Sequence, residues 1–156
     1  MKKCLFIFGM TLMFSIFFAV IVNAFTGDAI LGKWVTADGD AVIEFYKCGE
    51  KYCGRIVWAK EPEKKDIHNP DPSLRNRPLL GATILMGFRF NGKNEWKGGR
   101  IYDPDNGKKY KCKLSMKSKD RLRVRGYILW SLFGKTTVWK RVKSLPQKIN
   151  KEGKNE

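Results

Sequence analysis

Lys108-Lys109-Tyr110-Lys111-Cys112-Lys113-Leu114-Ser115-Met116-Lys117, followed after a short polar break by Arg121-Leu122-Arg123-Val124-Arg125, alternates cations with apolar side chains. Successive side chains of an extended strand point to opposite faces. Tyr110, Cys112, Leu114 and Met116 therefore share a face with Leu122 and Val124, and Lys109, Lys111, Lys113, Lys117, Arg121, Arg123 and Arg125 mark the other. The stretch predicts two neighbouring strands with one dry side and one wet side.

The same pattern extends outward from this pair. Helical periodicity is almost absent after Phe25, and short runs of Val, Ile, Tyr, Phe and Trp recur between Gly, Asp, Asn and Pro clusters. Eight strands are predicted, at 32–36, 41–48, 53–60, 82–90, 94–102, 108–117, 121–129 and 135–142. Asp38-Gly39, Asn91-Gly92 and Asp103-Pro104-Asp105-Asn106-Gly107 supply turn residues, so consecutive strands are expected to be neighbours. One connection differs: 61–80 carries Pro62, Pro70, Pro72 and Pro78 among charges and reads as a long loop across an end of the sheet. Eight hairpin-linked strands leave two exposed edges unless the sheet closes, and closure gives an interior that is either packed or able to hold one small ligand. The expected fold is all-β, an eight-stranded antiparallel up-and-down barrel.

Composition agrees with one folded domain. The chain has 156 residues, 43% hydrophobic and 13% aromatic, which excludes wholesale disorder. Its 31 Lys and Arg against 15 Asp and Glu give a formal charge of +16 and exclude an acidic protein. Lys2 and Lys3 precede an apolar run from Leu5 to Val22, and Val22-Asn23-Ala24 offers small residues for cleavage. Residues 1–24 are thus expected to be a Sec-type signal peptide, with an uncleaved anchor as the competing reading. The predicted location is periplasmic or secreted, the barrel domain spans 25–145, and 146–156 is expected to be a disordered polar tail. Loss of 1–24 removes two lysines and no acid, leaving 29 basic against 15 acidic residues, or +14.

Gly32-Lys33-Trp34, the block Cys48-Gly49-Glu50-Lys51-Tyr52-Cys53-Gly54-Arg55-Ile56-Val57, Asn69-Pro70-Asp71, Trp96-Lys97-Gly98-Gly99-Arg100-Ile101-Tyr102-Asp103-Pro104, Arg125-Gly126 and Trp139-Lys140-Arg141-Val142 carry a family resemblance. Together they resemble the bacterial exported family catalogued as domain of unknown function 2147, with the Gly-x-Trp signature of lipocalin-like, or calycin, barrels. The resemblance covers nearly all of 27–143 and implies a calycin-like barrel, with no activity established for the family. It also implies that Arg141 crosses Trp34, a pair assigned to structural closure through cation–π packing. Cys112 is not part of that signature.

Cys48 and Cys53 bracket what reads as a hairpin loop, and in an exported protein they are expected to form a disulfide. A zinc site from Cys48, Cys53, Cys112 and His68 is the alternative, but the spacing does not resemble a compact zinc knuckle. Cys112, among inward-reading neighbours, is expected to be buried rather than reactive. Glu44 is expected to pair with an Arg rather than to transfer protons. No catalytic residue, metal ligand or cofactor is assigned. The leading functional expectation is a non-enzymatic container for a small apolar or amphipathic molecule, with Trp96, Tyr102 and Tyr110 lining it and Arg55 or Arg100 neutralising a ligand carboxylate. The second is a basic envelope protein whose outer face, dense in cations from Lys108 to Arg125, meets an anionic lipid surface or a protein partner. Nucleic acid is not expected as a partner of an exported chain that carries no recognition motif, and the sequence does not fix the oligomeric state.

Overall fold

The computed structural model describes residues 25–128 and 134–146. The expected signal segment 1–24 and all but the first residue of the expected tail lie outside the described residues, as do Leu129 and Trp130. The eight strands are β1 (Gly32–Val35), β2 (Ala41–Cys48), β3 (Lys51–Ala59), β4 (Thr83–Phe90), β5 (Glu95–Asp103), β6 (Lys108–Ser118), β7 (Arg121–Tyr127) and β8 (Gly134–Val142). Each pairs antiparallel with the next, and β1 pairs with β8 through Lys33↔Val142, Trp34↔Arg141 and Val35↔Lys140, so the sheet closes in an up-and-down barrel. Closure removes both edges, which explains how so basic and strand-rich a chain avoids open ladder groups.

The alternation of β6 and β7 is seen directly. Cys112, Leu114, Met116, Leu122 and Val124 are buried, whereas Lys109, Lys111, Lys117 and Arg121 are exposed. One half of the barrel is packed solid with Trp34, Phe45, Phe88, Trp96, Leu114, Met116 and Leu122. Full burial of each such side chain contributes roughly 1.5–3 kcal/mol against exposure.

A short 3-10 turn, Gly27–Ile30, seals that half. Trp34 Nε1 donates to the Ile30 carbonyl at 2.9 Å and Trp96 Nε1 to the Gly27 carbonyl at 3.0 Å. Tyr52 Oη donates to Asp28 at 2.7 Å, and Lys47 pairs with the same carboxylate at 2.9 Å. Arg141 lies over the Trp34 ring, 4.1 Å from its centroid, and donates to the Leu31 and Ala29 carbonyls at 2.7 and 2.6 Å. The end of this turn therefore has its carbonyls satisfied by indole and guanidinium donors, which a buried chain segment requires. None of this segment was expected from the sequence, because four residues of 3-10 turn carry no periodic signal.

The expected disulfide forms, with Sγ atoms 2.02 Å apart, but the hairpin around it is tighter than expected. Cys48 pairs with Lys51, so only Gly49 and Glu50 make the turn, and Cys53 lies inside β3 opposite Tyr46. Gly49 takes φ of 66°, the left-handed conformation that a two-residue hairpin needs. The bridge thus joins diagonal positions on one face instead of closing a four-residue loop.

Candidate functional site

The turns β1–β2, β5–β6 and the ends of β3, β7 and β8 meet at the opposite end of the barrel, and there the interior opens. A cavity of about 880 Å³ descends from this mouth. Its wall is apolar: Ile43, Ile56, Ile84, Ile101, Val124 and Trp139, with Ala41, Ala59 and Leu79 nearby. Trp139 forms a boundary with the packed half, its ring centroid 6.5 Å from that of Phe45. The charged lining residues all come from turns, loop or strand ends: Asp38, Asp40, Lys60, Glu61, Lys64, Asp103, Asp105 and Lys135. A volume of this size falls within the roughly 300–1,000 Å³ of small-molecule sites.

The long loop between β3 and β4 folds beside this mouth instead of hanging free. Its hub is Asp66, which is fully buried. Tyr102 Oη and Asn69 Nδ2 donate to its carboxylate, and Arg77 donates through Nε and Nη2 at 2.9 and 2.7 Å. Burial pushes the Asp66 carboxyl up, but the bonds from Tyr102, Asn69 and Arg77 outweigh it and hold the group below its ordinary value. The Tyr102 phenol is pushed up to about 12, by burial first and then by the Asp66 carboxylate. Lys64 reaches Asp105 of the β5–β6 turn at 2.7 Å, and the His68 carbonyl lies where a Cβ on Gly107 would stand. The loop is pinned to the barrel at three places around the rim.

The residues expected to bind a ligand separate into two groups. Tyr102 and Tyr110 line the cavity. Tyr110 Oη accepts from Asn106 Nδ2 at 2.9 Å, and the Tyr102 hydroxyl is engaged by Asp66, so both rings sit at the rim with their polar ends occupied. Trp96, Arg55 and Arg100 stand elsewhere. Trp96 is fully buried in the packed half, where its indole holds the Gly27 carbonyl. Arg55 lies on the outer face, 2.7 Å from Glu44 and over the Tyr46 ring. Arg100 is exposed on the outer face of β5, cross-strand from Lys111. Irregular pairing between Gly54 and Arg55 and between Trp96 and Gly99 breaks the simple alternation from which their faces would have been read.

The remaining reactive side chains lie apart from the cavity wall. Glu44 is held by Arg55 and Lys33, and the Arg55 bonds, set against burial, keep its carboxyl below the ordinary value. Cys112 is buried in β6, and burial pushes its thiol up to about 12, which leaves negligible thiolate near neutral pH. His68 is exposed in the long loop. Asp66 is the residue of this site that the sequence reading did not single out. Its spacing to Asn69 and Arg77 within a proline-rich loop was the available signal.

A family model described as "uncharacterized protein conserved in bacteria (DUF2147)" matches residues 32–141. No curated protein matches the chain. Among solved structures, protein HP1028 from Helicobacter pylori, described as belonging to the lipocalin family, is similar over 73% of this chain and 83% of its own. The identity is 29% and the TM-score 0.67. The lipocalin-like barrel is thereby shown from two directions, strand pairing and superposition over 73% of the chain.

Proposed function

The chain belongs to the bacterial family DUF2147; from the geometry of its barrel we propose that it binds a small apolar or amphipathic molecule, and from Lys2, Lys3 and the apolar run Leu5 to Val22 that it is exported, periplasmic or secreted. The observation that carries this reading is the cavity walled by Ile43, Ile56, Ile84, Ile101, Val124 and Trp139, with every charge confined to its mouth. An alkyl chain entering such a wall contributes about 0.8 kcal/mol per buried methylene. A polar head group then remains at the rim, where water and charged side chains can solvate it. The lipocalin description of the Helicobacter pylori protein supports the same use of the fold by analogy. Native mass spectrometry of gently purified protein, set beside a delipidated control, is expected to show a retained small molecule. Its absence, with no uptake of an apolar fluorescent probe by the delipidated protein, contradicts the proposal.

The second reading is an envelope protein that meets an anionic surface through its outer wall. It is favoured by cation-on-cation register across strands: Arg100↔Lys111 and Arg121↔Lys140. Like charges placed directly opposite destabilise a sheet by a few tenths of a kcal/mol or more, a cost that an anionic partner offsets. Binding to anionic vesicles that collapses with added salt supports this reading, whereas uptake into the cavity is expected to be insensitive to salt.

A further inference from the structure

Nine cations of the described residues have a carboxylate within 4.0 Å: Lys33, Lys47, Arg55, Lys60, Lys64, Arg77, Lys97, Lys113 and Arg141. A second hollow, about 560 Å³, is built differently. It is lined by Arg100, Lys108, Lys109 and Lys111 with Tyr110, Tyr127 and Ile128, and among the described residues no carboxylate lines it. None of its four cations has an ion-pair partner among the described residues, and all four are exposed. The carboxylate opposite Lys108 in the β5–β6 register is Asp103, and it is occupied by the Asp105 backbone N–H at 3.0 Å and Asn106 Nδ2 at 2.9 Å.

The hollow adjoins the cavity. Tyr110, Tyr127 and Ile128 border both, so the cationic groove on the outer face lies next to the mouth of the apolar interior where β6 begins and β7 ends. Ile128, an apolar side chain 59% exposed, stands at that junction. Four clustered positive charges beside an apolar channel match a head group with more than one negative charge. A carboxylate supplies one charge. A phosphomonoester carries about 1.5–2 negative charges near neutral pH and presents three strong acceptor oxygens, which Arg100 can grip as a fork and the lysines as point charges.

We propose that the ligand of the barrel is a phosphate-headed amphiphile whose apolar chain enters the cavity and whose phosphate lies in the groove formed by Arg100, Lys108, Lys109 and Lys111. The proposal rests on the container reading above and names its ligand class. Dodecyl phosphate, dodecanol and inorganic phosphate, each kept below any micelle concentration, are the probes. Delipidated protein is titrated with each by calorimetry, alongside the triple variant Arg100→Ala, Lys109→Ala, Lys111→Ala. These side chains are exposed, so the variant is expected to retain its circular dichroism spectrum and melting temperature.

The expected result is dodecyl phosphate binding about tenfold or more tightly than dodecanol, the advantage of a charge-assisted grip. That advantage is lost in the triple variant and falls with added salt, while dodecanol affinity is unchanged. Equal affinity of dodecyl phosphate and dodecanol for the wild-type protein overturns the head-group inference and leaves the container reading standing. Inorganic phosphate binding as tightly as dodecyl phosphate also overturns it, because the groove is then a free-anion site with no link to the cavity. Failure of both amphiphiles to bind overturns the container reading itself. Should the triple variant lose its fold, Arg100→Lys and the salt dependence of the wild-type protein supply the same decision.

Discussion

The two ends of this barrel are made by the same eight strands and behave as opposites. At the sealed end, the buried acceptors are mainly backbone carbonyls held by indole and guanidinium donors, with the Asp28 carboxylate at the surface, and the side chains between them are Trp34, Phe45, Phe88 and Trp96. At the open end, contacts are made by carboxylates and cations on turns and loop, around a space lined by Ile, Val and Ala. One end is built to resist change and the other to admit a guest. The difference lies largely in side-chain size: inward positions near the sealed end carry aromatic rings that fill the lumen, and the wall near the mouth is mostly Ile, Val and Ala, with Trp139 at the boundary and Tyr102 and Tyr110 at the rim.

The largest effect is expected from an attack on the sealed end. Trp34→Ala removes the ring under Arg141 and the donor to the Ile30 carbonyl, and is expected to cost about 3–5 kcal/mol in a denaturant titration. A loss under 1 kcal/mol means that the plug is not what holds that end. Replacing both Cys48 and Cys53 by Ser comes next. The closed loop is short, with a sequence separation of 5, so the cost is about 2 kcal/mol by the loop-entropy relation.

At the open end, Asp66→Asn is expected to act locally. It removes the charge that holds Arg77 and puts an NH2 donor in place of one of the two oxygens that accept from Tyr102, Asn69 and Arg77, at a cost of about 1–2 kcal/mol because Arg77 is a third exposed. Hydrogen exchange is expected to rise across 61–80 with little change at β1 and β2. Acid sharpens the same contrast. The folded Asp66 carboxyl lies below its ordinary value of 3.8, so its contribution is complete above that value and is lost as pH falls through the lower, folded value. The carbonyl acceptors of the sealed end do not titrate there, and the Asp28 carboxylate, lowered first by Lys47, is exposed and screened. Exchange measured through this pH range is therefore expected to show the loop loosening before the plug. Simultaneous loss of both erases the distinction between the ends.

The smallest effect on stability, and the largest on binding, is expected from Ala59→Trp. Ala59 borders the cavity, so the indole enters open space and stability changes by less than about 1 kcal/mol, whereas uptake of an apolar probe is abolished. Unaltered uptake places the ligand elsewhere.

Much of the fold, though not the division between its ends, was legible beforehand. Alternation in 108–125 and the turn residues fixed strand number, order and closure, and β2 begins and ends where the hydrophobic run does. The Trp34–Arg141 pair and the Cys48–Cys53 bridge followed from resemblance and spacing. What was not legible has physical causes. Irregular pairing in β3 and β5 shifts the period-2 pattern, which is why the faces of Arg55 and Arg100 did not follow from it. The 3-10 plug is too short to imprint a period. The role of Asp66 depends on partners from β5 and from the far side of its own loop, which only the folded chain brings together.

The most direct test of the barrel as a receptacle is a crystal structure of the delipidated protein soaked with a terminally brominated alkanol, read by the anomalous signal of bromine. An anomalous peak in the space between Ile56, Ile101 and Trp139 is the predicted result. A saturating soak with no peak there, and an interior already filled by the protein's own side chains, contradicts the account.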